Sequence, residues 1–365
     1  MKRLVCKFGG TSVATARQLA KVRAILDDEP TRRVVVVSAP GRRTPEDVKV
    51  TDLLYACHRK AADGVSFDAE LDAIEARFEE LRRELELSLD LGPSLKELRA
   101  KLRKGCSADY AASRGEQFNG EVVAAYLGAD LIDPTRCISL RADGQVEAQT
   151  YTAIAAQMAD PERRYVVPGF FGAGPDGEVK TFSRGGSDIT GALVARAIGA
   201  SAYENWTDVS GILMADPRVV DDPRPMAEVT YRELRELAYM GASVVHDEAI
   251  APVREAGIPL FIRNTNRPHD PGTAITPRLS EAVESTTEIA GIAGKKSFTM
   301  ICVEKSLMNN EVGFAHRLLG IFERQGVSIE HCPSSIDTMN VICETRRVEG
   351  LVDELIGDIE RQLEP

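Results

Sequence analysis

The chain has 365 residues, enough for about two domains. At 43% hydrophobic and 28% charged residues, its composition is ordinary for a soluble globular protein. A formal net charge of -11 argues against nucleic acid or an anionic membrane as the main partner, but not against an anionic small substrate at a locally basic site.

Seven cysteines are scattered without a C-x-x-C or histidine pairing, as expected of reduced thiols in a cytoplasmic protein. The N-terminus runs straight into a strand, so no signal peptide is expected. No apolar run approaches the roughly 18 residues that a membrane span needs.

Residues 3–7 read as a strand and 16–26 as a helix, with apolar Leu19, Ala20, Val22, Ala24, Ile25 and Leu26. Between them lies Lys7-Phe8-Gly9-Gly10-Thr11-Ser12. A strand, a glycine turn and a helix start form a phosphate cradle. Lys7 is placed to bring a cation to a transferring phosphoryl group. The plain alternative is a surface lysine at a strand end. G-x-x-x-x-G-K-[ST], H-R-D and D-F-G are all absent, so a kinase here belongs to another structural class.

Residues 33–38 are an apolar run typical of a strand buried on both faces, ended by Ala39-Pro40-Gly41. Residues 41–49, with Arg42, Arg43 and Pro45, suggest a mobile basic loop. A helix is expected over 50–62. The charged, Leu-rich stretch 67–104 predicts two helices split at Gly92-Pro93, a solvated arm rather than a coiled coil, because the apolar heptads do not persist. Residues 107–126 form a further helix carrying Ser113-Arg114-Gly115-Glu116. Short strands are expected in 129–140. Residues 165–171 and 178–182 read as a hairpin around Gly174-Pro175-Asp176-Gly177.

The segment Phe182-Ser183-Arg184-Gly185-Gly186-Ser187-Asp188-Ile189-Thr190 packs two glycines, a guanidinium, hydroxyls and a carboxylate into a turn. A helix-forming run, 192–200, follows. Glycines admit close approach of backbone to ligand, and a helix start offers free N–H groups to an anion. Arg184 can grip a carboxylate with two parallel hydrogen bonds. An ordinary glycine-rich turn is the plain alternative; a second such turn at residues 7–12 weighs against it. A strand over 201–206 delivers Thr207-Asp208-Val209-Ser210-Gly211, helices follow at 231–240 and 247–255, and a strand at 259–264. The alternation defines an α/β layered core with helices on both faces, whose ligands gather at strand carboxyl ends. Beyond a Ser/Thr/Glu/Gly-rich linker, 297–304, 313–325, 327–332, 340–345 and 348–363 read as β-α-β-β-α.

Six motifs occur in order: Lys-Phe-Gly-Gly-Thr-Ser (7–12), Lys-Val-Thr-Asp-Leu-Leu (49–54), Ser-Arg-Gly-Glu (113–116), Ser-Arg-Gly-Gly-Ser-Asp (183–188), Trp-Thr-Asp-Val-x-Gly-Ile (206–212) and Asp-Pro-Arg (216–218). Together they resemble the aspartate kinases of the amino-acid kinase superfamily. The resemblance implies a three-layer α/β sandwich around a mainly parallel sheet. Residues 1–280 would be the catalytic domain, with an aspartate-binding N-lobe and a nucleotide-binding C-lobe at about 180–275. A linker at 281–296 and a partial, ACT-like α+β module at 297–365 would follow.

The activity implied is ATP- and Mg²⁺-dependent phosphorylation of L-aspartate to 4-phospho-L-aspartate, the first step toward lysine, threonine and methionine. By motif position, Lys7 and Asp188 are the catalytic pair. Ser38, Thr51, Glu116, Arg184, Gly185 and Ser187 would bind the substrate, Arg184 on its α-carboxylate and Glu116 on its ammonium. Lys7, Gly9, Gly10, Thr11, Ser12, Thr207, Asp208, Leu213, Asp216 and Arg218 would bind the nucleotide. No metal-ligand set of protein side chains is implied. Taken singly, Glu116 reads as a solvated carboxylate, Thr51 as a helix cap and Ser38 as a strand-end hydroxyl.

Two departures stand out. Leu213 occupies the place of a family tyrosine, and Ser243 that of a family Lys or Arg, so either lower nucleotide affinity or a substitute cation is expected. Ser243→Lys is expected to keep turnover or lower the ATP KM, and His246 reads as structural. Met308, Gly313, Phe314, Ser328, Ile329 and Glu330 would line an effector site for lysine or threonine. The module ends one strand early and the family's second copy is missing, either because the sequence is a shortened piece or because the form is naturally reduced; unless another subunit supplies the other half, weak or no feedback inhibition is expected. The unpaired sheet edge is a natural contact for a homodimer or higher homo-oligomer. Competing readings are a sibling kinase acting on glutamate, acetylglutamate or carbamate, and a catalytically silent amino-acid sensor. The Lys-Phe-Gly-Gly-Thr-Ser opening opposes the first; intact Lys7, Arg184 and Asp188 oppose the second.

Overall fold

The computed structural model describes residues 2–183, 185–241, 247–285 and 289–365. Arg184, Ser243 and His246 therefore lie outside the described residues. The chain divides into two compact units, Met1–Ala293 and Gly294–Pro365.

The first unit opens with β1 (Leu4–Phe8), a short 3-10 turn (Gly10–Val13) and α1 (Ala16–Asp28). It continues through β2 (Arg32–Val37), α2 (Val50–Ala62), α3 (Asp68–Glu84), α4 (Gly92–Arg103) and α5 (Ala108–Leu127). Next come β3 (Asp130–Leu131), α6 (Gln149–Gln157), β4 (Tyr165–Pro168), β5 (Phe171–Ala173), β6 (Val179–Thr181), α7 (Gly186–Ala197) and β7 (Ala202–Thr207). The unit ends with β8 (Glu228–Thr230), α8 (Tyr231–Tyr239), α9 (Asp247–Glu255), β9 (Leu260–Asn264), β10 (Thr273–Thr276) and α10 (Glu281–Glu284).

Eight strands form one sheet in the order β3-β4-β2-β1-β7-β9-β10-β8. Every neighbouring pair is parallel except β9 and β10. Side chains alternate across it. Val34 and Val36 of β2 join one apolar layer with α6, α7 and α9, and Val35 and Val37 join the other with α1, α2, α3, α4 and α5. The expected sandwich is thus observed, with β1 and β7 side by side at its centre. No helix among the described residues is long and apolar enough to cross a membrane.

Several local expectations needed correction. The break in the arm falls at 85–91, and Gly92-Pro93 begins α4 instead, where proline at the first turn costs no hydrogen bond. Strand 165–171 stops at Pro168; Phe170 takes φ 80°, and the hairpin is β5 with β6. In 129–140 the only strand among the described residues is β3, followed by a 3-10 turn at Pro134–Arg136. Loop 41–49 is tethered by Arg77, Asp47 and Glu80.

The second unit contains β11 (Phe298–Glu304), α11 (Phe314–Arg324), β12 (Thr338–Glu344), α12 (Thr345–Val348) and α13 (Val352–Leu363). β11 and β12 pair antiparallel, and both long helices close on them through Leu318, Ile321, Phe322, Leu355 and Ile359. The strand expected over 327–332 does not form. The segment follows β12 through isolated bridges at His331–Ile342 and Ser334–Met339. Between them Asn340 N–H donates to the Pro333 carbonyl, but Pro333 has no N–H to return and the ladder is interrupted.

Candidate active site

β1 and β7 pair in parallel with Lys7 opposite Asn205. Both residues point to the face covered by α7, whose first turn carries Asp188. Lys7 Nζ lies 2.7 Å from Asp188 Oδ1, and Asn205 Nδ2 donates to the same oxygen at 3.0 Å. Lys7 Nζ also approaches Asn205 Oδ1 at 3.5 Å. Lys7 is 8% exposed, so its charge is held in a largely desolvated setting beside one carboxylate. Asn205 belongs to this cluster, and the motifs did not reveal it. Its signal was a polar pair, Glu204-Asn205, inside a strand otherwise built for burial.

The glycine turn leaves β1 beside the end of β7. Gly9 N–H donates to the Trp206 carbonyl at 3.0 Å. Thr11 Oγ1 donates to Asp208 Oδ2 at 3.3 Å, and Thr207 Oγ1 to Asp208 Oδ1 at 3.2 Å. The Ser12 and Thr265 hydroxyls lie 2.7 Å apart, which brings the end of β9 to the same turn. Residues 9–12, Thr207 and Asp208 are therefore gathered at the carboxyl ends of three neighbouring strands. Leu213 lies on the loop beyond, in a bridge with Pro225. Asp216 and Arg218 pair with each other at 2.6 Å, with Arg218 84% exposed at its side chain.

The substrate-side residues converge from the other direction. Ser38 follows β2, and its hydroxyl donates to Ser187 Oγ at 2.9 Å. Asn119 Nδ2 holds the Ser38 carbonyl at 2.7 Å, a contact equally hidden from the motifs. Gly169 lets the first turn of α7 come this close: a Cβ there would lie 2.4 Å from Ser187 Cβ. Gly185 caps α7 with φ 75°. Thr51 sits in the first turn of α2, where Lys49 rather than Thr51 is the cap residue. α2 meets α5 at Gly115, where a Cβ would press on Ala39, Leu54 and Val50.

Glu116 is next to that contact and 6% exposed. Burial pushes its carboxyl up to about 7, against a smaller opposing effect from the Ala39 backbone. Its Oε2 and Asn119 Oδ1 are buried atoms without a hydrogen-bond partner among the described residues. The expectation of a solvated carboxylate does not hold: Glu116 is buried, and its Oε2 is left without a donor among the described residues.

Behind the site, Glu204 gathers a second set of groups. Arg32 Nε donates to it at 2.8 Å and Trp206 Nε1 at 3.1 Å, and Arg263 Nε lies 3.3 Å away. This network ties β2, β7 and β9 together on the sheet face opposite Lys7. Among the described residues no group of three or more His, Cys, Asp or Glu is placed to hold a metal ion.

Residues 2–264 match the model of the amino acid kinase family. Aspartokinase 3 of Bacillus subtilis is 37% identical over 98% of this chain and 82% of its own length. The solved Clostridium acetobutylicum aspartate kinase is 44% identical, with a TM-score of 0.91 over 100% of this chain and 83% of that one. Escherichia coli aspartokinase III, solved with lysine and aspartate in its T state, is 25% identical with a TM-score of 0.74, covering 98% of this chain and 84% of that one. Its R-state complex with aspartate and ADP gives 27% identity and a TM-score of 0.73, covering 94% and 79%. The chain belongs to the amino acid kinase family and, within it, to the aspartokinases.

Proposed function

We infer that this chain transfers the terminal phosphoryl group of ATP to the side-chain carboxylate of L-aspartate, giving 4-phospho-L-aspartate and ADP. The observation that carries this reading is the Lys7–Asp188–Asn205 constellation, set between two glycine turns on adjacent elements. A carboxylate nucleophile is already ionised at neutral pH, so no strong general base is needed. The difficulty is bringing two anions together, and it is met by positioning and charge neutralisation.

Lys7 supplies the cation for the transferring group, and Asp188 and Asn205 hold its ammonium in place. Glu116 receives the substrate ammonium. Ser38, Ser187 and Thr51 hold the reacting end, and Arg184 and Gly185 the α-carboxylate. Residues 9–12, Thr207, Asp208, Leu213, Asp216 and Arg218 form the nucleotide side. Mg²⁺ commonly binds through one or two carboxylates plus substrate phosphates, so it would enter here as part of MgATP, with Asp208, which accepts from Thr11 of the glycine turn, a carboxylate on that side.

Residues 1–280 form the catalytic domain in this reading, 281–296 a linker and 297–365 a partial ACT-like module of a cytoplasmic homo-oligomer. Lysine or threonine would bind at Met308, Gly313, Phe314, Ser328, Ile329 and Glu330. Initial rates with millimolar lysine and threonine, singly and together, test this; no effect of either refutes the assignment. The activity itself is tested by aspartate-dependent ADP release with hydroxylamine trapping of the acyl phosphate. Equal release with glutamate would point to a sibling kinase, and no release to a sensor.

A further inference from the structure

Arg77 lies in the middle of α3, on the helical arm, yet it is 3% exposed and faces inward. Its neighbours Ile74, Phe78 and Leu81 are core residues. A buried guanidinium is costly to desolvate, and an apolar side chain of similar volume would serve packing alone at least as well. What Arg77 does with its charge is therefore informative.

Arg77 Nη1 donates to the Val48 carbonyl at 3.1 Å and lies 3.1 Å from Asp47 Oδ2. Nη2 donates to the Gly41 carbonyl. Gly41 and Val48 are the two ends of the loop between β2 and α2. Ser38 stands just before the first end, and Thr51 just after the second. One guanidinium thus clasps both ends of the segment that joins two substrate-side residues. Arg43 completes the clasp, with Nε 3.0 Å from Asp47 Oδ2 and Nη1 2.6 Å from Glu80 Oε2, one turn along α3 from Arg77.

The clasp also reaches the nucleotide side. Gly41 N–H donates to the Gly10 carbonyl at 2.7 Å. The two backbones are so close that a Cβ on Gly41 would lie 2.5 Å from Gly10 C and 2.6 Å from Thr11 N. Whatever fixes Gly41 fixes the glycine turn.

We propose that Arg77 is a positioning residue of the phosphoryl transfer: from the helical arm it holds loop 41–48, and through Gly41 it sets the glycine turn against the aspartate side of the site. The proposal rests on the aspartate kinase reading above. Lysine cannot replace Arg77, because a single ammonium on a flexible stem does not span the Gly41 and Val48 carbonyls as a planar fork does.

The test compares wild type, Arg77→Met, Arg77→Lys and Gly41→Ala by steady-state ADP release, thermal melting and calorimetric titration with a non-hydrolysable ATP analogue. Arg77→Met and Arg77→Lys, in protein that still melts cooperatively, are expected to lose about tenfold or more in kcat/KM for both substrates. Analogue affinity is expected to fall alongside. Gly41→Ala is expected to weaken the analogue to a similar degree while leaving Arg77 in place. If both Arg77 variants fold and keep both KM values and analogue affinity within about twofold of wild type, the proposal is overturned. If they fail to fold, unchanged analogue binding by Gly41→Ala overturns it. Wild type that binds the analogue but releases no ADP with aspartate would refute the functional reading instead, and the affinity comparison would still decide the clasp.

Discussion

Lys7 and Asp188, from the first strand and the seventh helix, meet at 2.7 Å between Nζ and Oδ1. Asp188 offers its carboxylate to a cation that would otherwise be buried alone, and it aims that cation along the edge of the glycine turn. Lys7→Ala is expected to lower kcat by about a thousandfold or more, because it removes the charge from the transferring group. Asp188→Asn keeps the shape and loses the aim, and a fall of about a hundredfold is expected. ADP release at saturating substrates reads both.

Asn205 ties β7 to the same carboxylate. Asn205→Ala removes a hydrogen bond to a charged group, worth about 1.5–3 kcal/mol. A cooperative urea transition shifted by that amount, with kcat/KM reduced about tenfold, is expected. A stability loss with unchanged kinetics would make Asn205 a packing residue only.

If Glu116 receives the substrate ammonium as proposed, substrate binding depends on pH. With its carboxyl pushed up to about 7 by burial, a substantial fraction is protonated at neutral pH. The neutral acid cannot accept an ammonium as an ion pair. The aspartate KM is therefore expected to fall as pH rises through about 7 and to level off above it. In the free protein the sign for stability is opposite. The raised value favours the folded state below the ordinary carboxylate range, and that contribution is lost as pH rises through about 7. Glu116→Gln is expected to raise KM and to abolish its pH dependence in this window, as measured by initial rates on both sides of neutrality.

Glu204 carries two arginines in a nearly dry interior. Glu204→Leu would leave Arg32 buried without its partner, a loss of about 3–5 kcal/mol. Denaturant unfolding checks this. Cys6, whose Sγ donates to Glu204 Oε2 at 3.3 Å, is held as a thiol by burial and by that carboxylate. It is expected to resist thiol reagents in the native protein and to react once the chain is unfolded, as followed by thiol titration.

The layered core was legible because Val34–Val37 and the helix patterns around it are unambiguous about burial. Helix α2 and helix α9 fall where apolar spacing places them. The turn motifs were legible because glycine, lysine and hydroxyl residues cluster there for reasons that local chemistry explains. What the sequence could not reveal is pairing across distance. Nothing local says that Asn205 stands opposite Lys7, that Asn119 reaches the Ser38 carbonyl, or that Arg77 turns inward to loop 41–48. Short strands such as β8 and β10 carry too few residues for a period to appear. The segment at 327–332 has strand composition, but Pro333 lacks the N–H that would complete the ladder with β12.

β1 lies between β2 and β7, so during synthesis it waits for a partner until Ala202–Thr207 has been made. Until then one side of β1 presents an unsatisfied row of amides and carbonyls, and Lys7 has neither Asn205 nor Asp188 beside it. Ribosome-bound or truncated fragments ending before residue 207 would thus expose a sticky edge and carry no catalytic function. Proteolytic nicking or gene splitting of this enzyme can succeed only where both pieces deliver β1 and β7 to each other.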